Sequence, residues 1–505
     1  MSAPLLLLPL DDRPINLDFP LLLAEVAGEQ LVTPPRALLG HFLTPGNGDA
    51  LASWLQQVAP TAGAGIISCD MLAYGGLVAS RTPVVTVEEA LQRLSVLREI
   101  KRRQPALRLL AFSVIMRLTI TGSDPATRAA GRDIFRYSIL RDQHDRLGDA
   151  SIAAELAEVE ARIPPALLAA YLQARARNHA VNRAAIDLLG DGVLDYLALV
   201  QEDTAPVGLH VAEQADLTQY ARERAPDDRW LLYAGTDEAA QTLLARYLVQ
   251  ETGLAYPVAV HFRDREAAKQ PALFEDVPLQ ETVRRHIMAV GGTLREDGTP
   301  LAVHTFTPPQ PDLFEMSPLP APTWQCALAQ FPPMSPPHWP AGLDALAVAD
   351  TAYCNGGDPH LLHALLADGS FPHLLSYAGW NTAGNTLGTT LAHAALRRVA
   401  LARGTTPAME TAQQTALFVR LLDDGLYQSV VRAWIARQVE ESGVSPLNLG
   451  KMTQEVEARV DAVMHELWHE LCAQYPAAAA LDRPFRTTLP WGRLFEIAII
   501  TRKDE

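Results

Sequence analysis

The chain has 505 residues, 48% hydrophobic and 20% charged, a balance that excludes a disordered protein and provides for a core of enzyme size. Its formal net charge of −16 repels phosphate backbones and anionic lipid, so neither a nucleic acid nor a membrane is an expected partner. Four cysteines, Cys69, Cys326, Cys354 and Cys472, lie far apart with no CxxC pair, which excludes the usual cysteine zinc sites and a disulfide framework.

The first apolar run, 5–10, is too short for a signal-peptide core, has no basic residue ahead of it and meets Asp11 at once. The cytoplasm is therefore the expected compartment. Similar short runs occur at 30–33, 65–69, 107–116, 194–200, 229–233, 258–262, 302–306, 345–349 and 374–377. Helix-like segments such as 87–103, 152–189 and 239–251 alternate with them, the mark of a mainly parallel α/β protein. Apolar residues in the runs are continuous rather than alternating, as in strands covered on both faces. Dense prolines over 306–340 predict a long loop or linker. Beyond Gly388 the chain reads as helical, with long segments at 411–441 and 451–474, and a last strand-like stretch at 494–501.

Ten strand candidates ahead of that stretch exceed one eight-stranded barrel. The expected architecture is an N-terminal (β/α) barrel-like catalytic domain over 1–265, a smaller α/β domain over 295–400 and a helical C-terminal region over 401–505 packing on the others. Two doubly wound parallel-sheet domains are the alternative.

The residues at the carboxyl ends of the strands carry the functional information. The runs end in Asp11-Asp12-Arg13 with Asn16, in Asp70 with Tyr74 and Arg81, at Arg117, in Glu202-Asp203, and in Asp237-Glu238. Later runs end in Asp350 with Asn355 and Asp358, and in Trp380-Asn381 with Asn385. In parallel α/β folds these ends share one edge, where ligands bind. Asp and Asn there also cap helices, but capping alone calls for no Arg, Tyr or Trp beside them. Arg177, Asn178, Asn182 and Arg183 share one helical face at i, i+4 and i+5 spacing, which reads first as a solvated face and, as the alternative, as a polar wall over the barrel rim.

The motifs PLDDRPIN, DMLAYGGLVASR, QEDTAPVGLH, AGTDE, DTAYCNGGDP and YAGWNTAGNTLG resemble the successive motifs of the bacterial DUF4127 family, from Pro9 to the PWGRLFEI stretch. The resemblance implies that the polar clusters belong to one design; it implies no activity.

The residue types indicate the chemistry. No GxSxG elbow, GxxxxGK[ST] loop or GxGxxG after the first strand is present, so neither a serine nucleophile nor a nucleotide cofactor is expected. Carboxylates, amides, arginine and a tryptophan plate suit a sugar. The expected function is a glycoside hydrolase-like enzyme for a small neutral sugar or amino-sugar conjugate. Glu202 and Asp203 are the expected catalytic pair, assisted by Asp237 and Glu238. Asp11, Asp12, Arg13, Asn16, Asp70, Tyr74, Arg81, Arg117, Asp350, Asn355, Asp358, Trp380, Asn381 and Asn385 are the expected substrate-binding residues. Arg13 beside Asp11 should keep that acid ionised, making the corner a clamp rather than a proton donor. The plainer alternative has Glu202 as a helix cap and Asp203 paired with Arg117. A non-catalytic sugar or metabolite binder is another. A divalent-metal hydrolase using Asp11, Asp70 and Asp350 is a further alternative, and His465-Glu466-Leu467-Trp468-His469 matches the zinc motif HExxH. No other cofactor is expected.

Overall fold

The computed structural model describes residues 3–122, 125–335 and 345–501. The chain forms two compact units, one of Met1–Leu17, Glu29–Leu243 and Phe274–Asp276, the other of Asp18–Gly28, Leu244–Leu273 and Val277–Glu505.

The first unit is built on six parallel strands: β1 (Leu5–Leu8), β2 (Leu31–Val32), β3 (Ala64–Ser68), β4 (Arg108–Ile115), β5 (Tyr196–Gln201) and β6 (Trp230–Ala234). Their order is β2-β1-β3-β4-β5-β6. Every side chain of β1 and β3 is buried, which explains why their apolar residues are continuous. Each buried leucine of β1 contributes about 1.5–3 kcal/mol to the core. Helix Pro165–Gly190 packs on β4 and β5. Gly75, at φ +89°, lets the turn after β3 lie against another loop: a Cβ there would stand 2.5 Å from the Gly46 nitrogen.

The second unit holds five parallel strands: β7 (Pro257–Phe262), β8 (Thr293–Leu294), β9 (Thr299–Thr305), β10 (Ala347–Thr351) and β11 (Ser376–Ala378). Their order, β8-β7-β9-β10-β11, repeats the first five positions of the other sheet. Both sheets therefore reverse direction of growth between their first and third strands. A short antiparallel pair, β12 (Arg486–Thr488) and β13 (Ala498–Ile500), belongs to the same unit. Its large core gathers Trp324, Phe371, Phe418, Tyr427 and Trp468 from the helices around β10.

The α/β class and the parallel strands are as the sequence predicts. No barrel closes among the described residues: both sheets are open, in the doubly wound manner. The strand expected over 494–501 shortens to β13, and the helix expected over 152–189 divides at Pro164-Pro165 into Ala153–Arg162 and Pro165–Gly190. Part of the expected loop over 306–340 is helical, at Trp324–Gln330, and its residues 336–340 lie outside the described residues. The segment expected as one helix over 411–441 contains a π-helical stretch, Leu421–Val431, with every residue buried. Such windings are mostly single turns and gather at functional sites.

Candidate functional site

The predicted residues of the first unit lie past the carboxyl ends of its strands and form two groups. In the first group, Arg13 donates to Asp11 through Nε and Nη2, and to Asp237 at 2.5 and 3.2 Å. Asn16 Nδ2 donates to both carboxylates, at 2.9 and 3.2 Å. All four side chains are buried. The expectation for Asp11 is reversed by this burial. Desolvation outweighs Arg13 and pushes the Asp11 carboxyl above its ordinary range. Asp12 turns away to His41 Nδ1 at 2.8 Å, while Arg36 donates to its carbonyl. Glu238 accepts from the Thr236 nitrogen at 2.8 Å and lies against Gly235.

The second group centres on Glu202. Its Oε1 accepts from Arg81 Nη2 and lies 3.9 Å from Arg117 Nη1. Its Oε2 is buried with no hydrogen-bond partner among the described residues. Arg117 Nη1 also reaches Asp203 at 3.2 Å, as the plainer alternative has it, but Glu202 caps no helix. Asp203 holds a left-handed backbone, φ +34°, and its side chain is 36% exposed. A non-glycine residue in that region costs free energy, and such residues concentrate at functional sites. Asp70 accepts from the Val114 nitrogen at 2.8 Å. Burial first, and the charge of Glu202 after it, push Asp70 up to about 7. Arg81 is drawn down to about 10 by burial and by Arg117.

Helix Pro165–Gly190 supports this group from behind. The Arg177 guanidinium lies 4.1 Å from the Tyr74 ring centre and donates to the carbonyls of Ser80, Thr82 and Val85. Asn178 also bonds the Ser80 carbonyl, so the turn bearing Arg81 is fixed from two side chains. Arg177, Asn178 and Asn182 are buried, which overturns the solvated-face reading. Arg183 alone fits it, half-exposed and paired with Asp216.

The second unit carries its own polar cluster. Asp350 accepts from the Asp358 nitrogen at 2.6 Å and from Tyr377 Oη at 3.1 Å. Asp358 caps helix Pro359–Ala367 and meets His304 Nε2 at 2.8 Å, both side chains fully buried. On the π-helical stretch, Asp424 accepts from the Gly379 nitrogen and from Arg420, and Asp423 from Arg420 and Gln428. Burial raises both Asp350 and Asp424. Asn355 and Asn381 share φ +66° and are joined by the Asn355 nitrogen and the Asn381 carbonyl at 2.9 Å. Trp380 is buried edge-on to Phe495, and Asn385 bonds the hydroxyl of Thr382.

Several members escaped the sequence reading. Arg420 with Asp423 and Asp424 shows the i, i+3 and i, i+4 spacing of helical ion pairs, which was a usable signal. His304 lies inside an apolar strand, where no local pattern marks it.

Among the described residues no group of three or more His, Cys, Asp and Glu side chains is arranged to hold a metal ion. Asp11, Asp70 and Asp350 each have protein donors. In the HExxH match, His465 stacks on Phe485 at 4.1 Å rather than facing His469 across a shared ligand. No helix among the described residues is long and apolar enough to cross a membrane.

Fold and site together define a doubly wound α/β protein with buried carboxylate–arginine clusters at its strand ends. The chain belongs to the DUF4127 family, described as proteins of unknown function, whose model matches residues 5–500. Comparison with curated proteins and with solved structures gave no match.

Proposed function

We propose that the protein is a cytoplasmic hydrolase of glycosidase type, acting on a small sugar or amino-sugar conjugate by carboxylate acid/base catalysis. The observation that carries this reading is Glu202, anchored through one oxygen by Arg81 while the other is buried and unpartnered among the described residues. A buried acceptor left unpaired is costly, and a substrate hydroxyl or leaving oxygen would relieve it. Glycosidic cleavage needs one carboxyl to protonate the leaving oxygen and a second to attack the sugar or take a proton from water. In this reading Glu202 and Asp203 divide those tasks. Asp70, pushed up to about 7 by burial and by the charge of Glu202, is a further carboxyl of this group able to hold a proton near neutral pH. Asp237 and Glu238, expected as assistants, are engaged by Arg13 and by their own turn and take a supporting place. Ligands of open parallel sheets bind at the carboxyl edge, where this pair lies.

The test is turnover of a panel of aryl glycosides by the whole protein and by Glu202→Gln and Asp203→Asn. Loss in both variants is expected. Undiminished turnover in both overturns the assignment, and tight sugar binding without turnover in the parent would make the protein a binder.

A further inference from the structure

The two arginines around Glu202 point to the kind of sugar. Arg81 Nη2 and Arg117 Nη1 converge on the same carboxylate oxygen of Glu202, and Arg117 Nη1 also holds Asp203 at 3.2 Å. Each guanidinium also keeps an Nε–H that is buried and has no acceptor among the described residues. Arg81 is itself nine-tenths buried. Its Nη1 is taken by Thr121 at 2.7 Å, and Arg117 Nη2 by the Ile120 carbonyl at 2.9 Å.

The remaining partner is Asp203, whose pair with Arg117 is the part of the cluster nearest solvent. A partly solvated ion pair is worth little, so an incoming anion can displace it at small cost. Another carboxylate replaces one solvated carboxylate with the least change of charge. One of its oxygens can take the Nη1 donor that Asp203 vacates, in a charge-assisted hydrogen bond.

We propose that the site takes a sugar bearing a carboxylate, of uronic-acid type, with that group on Arg117 beside Arg81 and a ring hydroxyl donated to Glu202 Oε2. This rests on the proposed sugar hydrolase activity and narrows it. Once Asp203 is displaced, Arg81 and Arg117 face Glu202 together, which locally offsets the acidity of the whole chain.

The experiment is calorimetric titration of the whole protein with glucuronate, glucose and glucose 6-phosphate, repeated for Arg117→Gln, Arg117→Lys and Asp203→Asn. Glucuronate should bind at least about tenfold more tightly than glucose or the phosphate, the range of one charge-assisted hydrogen bond. Arg117→Gln should lose at least about tenfold of that affinity, and Arg117→Lys part of it, because the charge remains without the planar guanidinium. If Arg117→Gln does not fold, the Lys variant carries the comparison. Asp203→Asn should bind glucuronate as well as the parent or better, since the competing carboxylate is gone.

Equal binding of glucose, tighter binding of the phosphate, no glucuronate binding, or weaker glucuronate binding by Asp203→Asn each overturns the inference. Turnover of neutral glycosides without glucuronate binding would defeat this inference and leave the hydrolase reading standing. Arg117-dependent glucuronate binding without turnover of any glycoside would do the reverse.

Discussion

Arg13 and Asp237, 224 residues apart in the chain, form a two-pronged ion pair at 2.5 and 3.2 Å. They lie just past β1 and β6, which have three strands between them in the sheet. At about 4.8 Å per strand the strands themselves stand roughly 19 Å apart. The loops beyond their carboxyl ends therefore converge above an open sheet, and the pair fastens them.

Removing Asp237 takes away one of the two buried carboxylates that hold Arg13, leaving Asp11. Asp237→Ala should cost about 1.5–3 kcal/mol in chemical denaturation, the range of a buried hydrogen bond to a charged group. A loss under about 1 kcal/mol, the range of an exposed pair, would show that the pair is not the fastening described.

The fastening also explains what was legible. Polar residues directly after apolar runs marked the strand ends, because a parallel sheet places its loops there, and Asp11, Asp70, Glu202 and Asp237 all sit accordingly. The order of strands was not legible, since a crossover leaves no local trace of which side the next strand joins. Nor was the π-helical stretch: nothing in the local order of Leu421–Val431 separates it from an ordinary helix, and every one of its residues is buried. The solvated-face reading of Arg177 failed for a related reason. Its charge is answered by carbonyls nearly a hundred positions upstream, at Ser80, Thr82 and Val85.

Asp70 makes stability depend on pH. Its carboxyl rises from 3.8 to about 7 on folding, so the native state binds the extra proton between those values. Its contribution is fully present below pH 3.8 and is lost as pH rises through about 7. The whole change amounts to about 4 kcal/mol at most. Asp70→Asn should be correspondingly less sensitive when urea denaturation is compared at about pH 5 and about pH 8, on either side of the shifted carboxyl. Parallel pH profiles for parent and variant would refute the raised carboxyl.

Asp203 offers a test of backbone strain separate from charge. Both Asp203→Gly and Asp203→Ala remove the pair with Arg117, but only glycine adopts φ +34° freely. The glycine variant should be more stable than the alanine variant by about 1 kcal/mol. Both should lack turnover of any glycoside the parent cleaves. Equal stabilities would mean the loop relaxes once the carboxylate is gone.

In the second unit, Gly357 sits where an added Cβ would come 2.3 Å from Tyr377 Oη and 3.2 Å from Asp350 Oδ2. Gly357→Ala should cost about 1–3 kcal/mol by forcing the tyrosine off the aspartate. Thermal melting of the variant checks this, with Tyr377→Phe as the partner substitution. If the hydroxyl is the obstacle, the alanine is better tolerated in the phenylalanine background.

The Arg13–Asp237 fastening bears on how the nascent chain is made safe. β1 leaves the ribosome ahead of β6, and the second acid for the arginine that follows it is encoded 224 codons later. At 5–20 residues per second that interval is on the order of 10–45 s. Through it the amino-terminal strand carries its arginine with Asp11 and Asn16 beside it but without Asp237. The first sheet therefore reaches its final form only when nearly half of the 505 residues are made, and a chain truncated before residue 237 would hold an unclosed mouth.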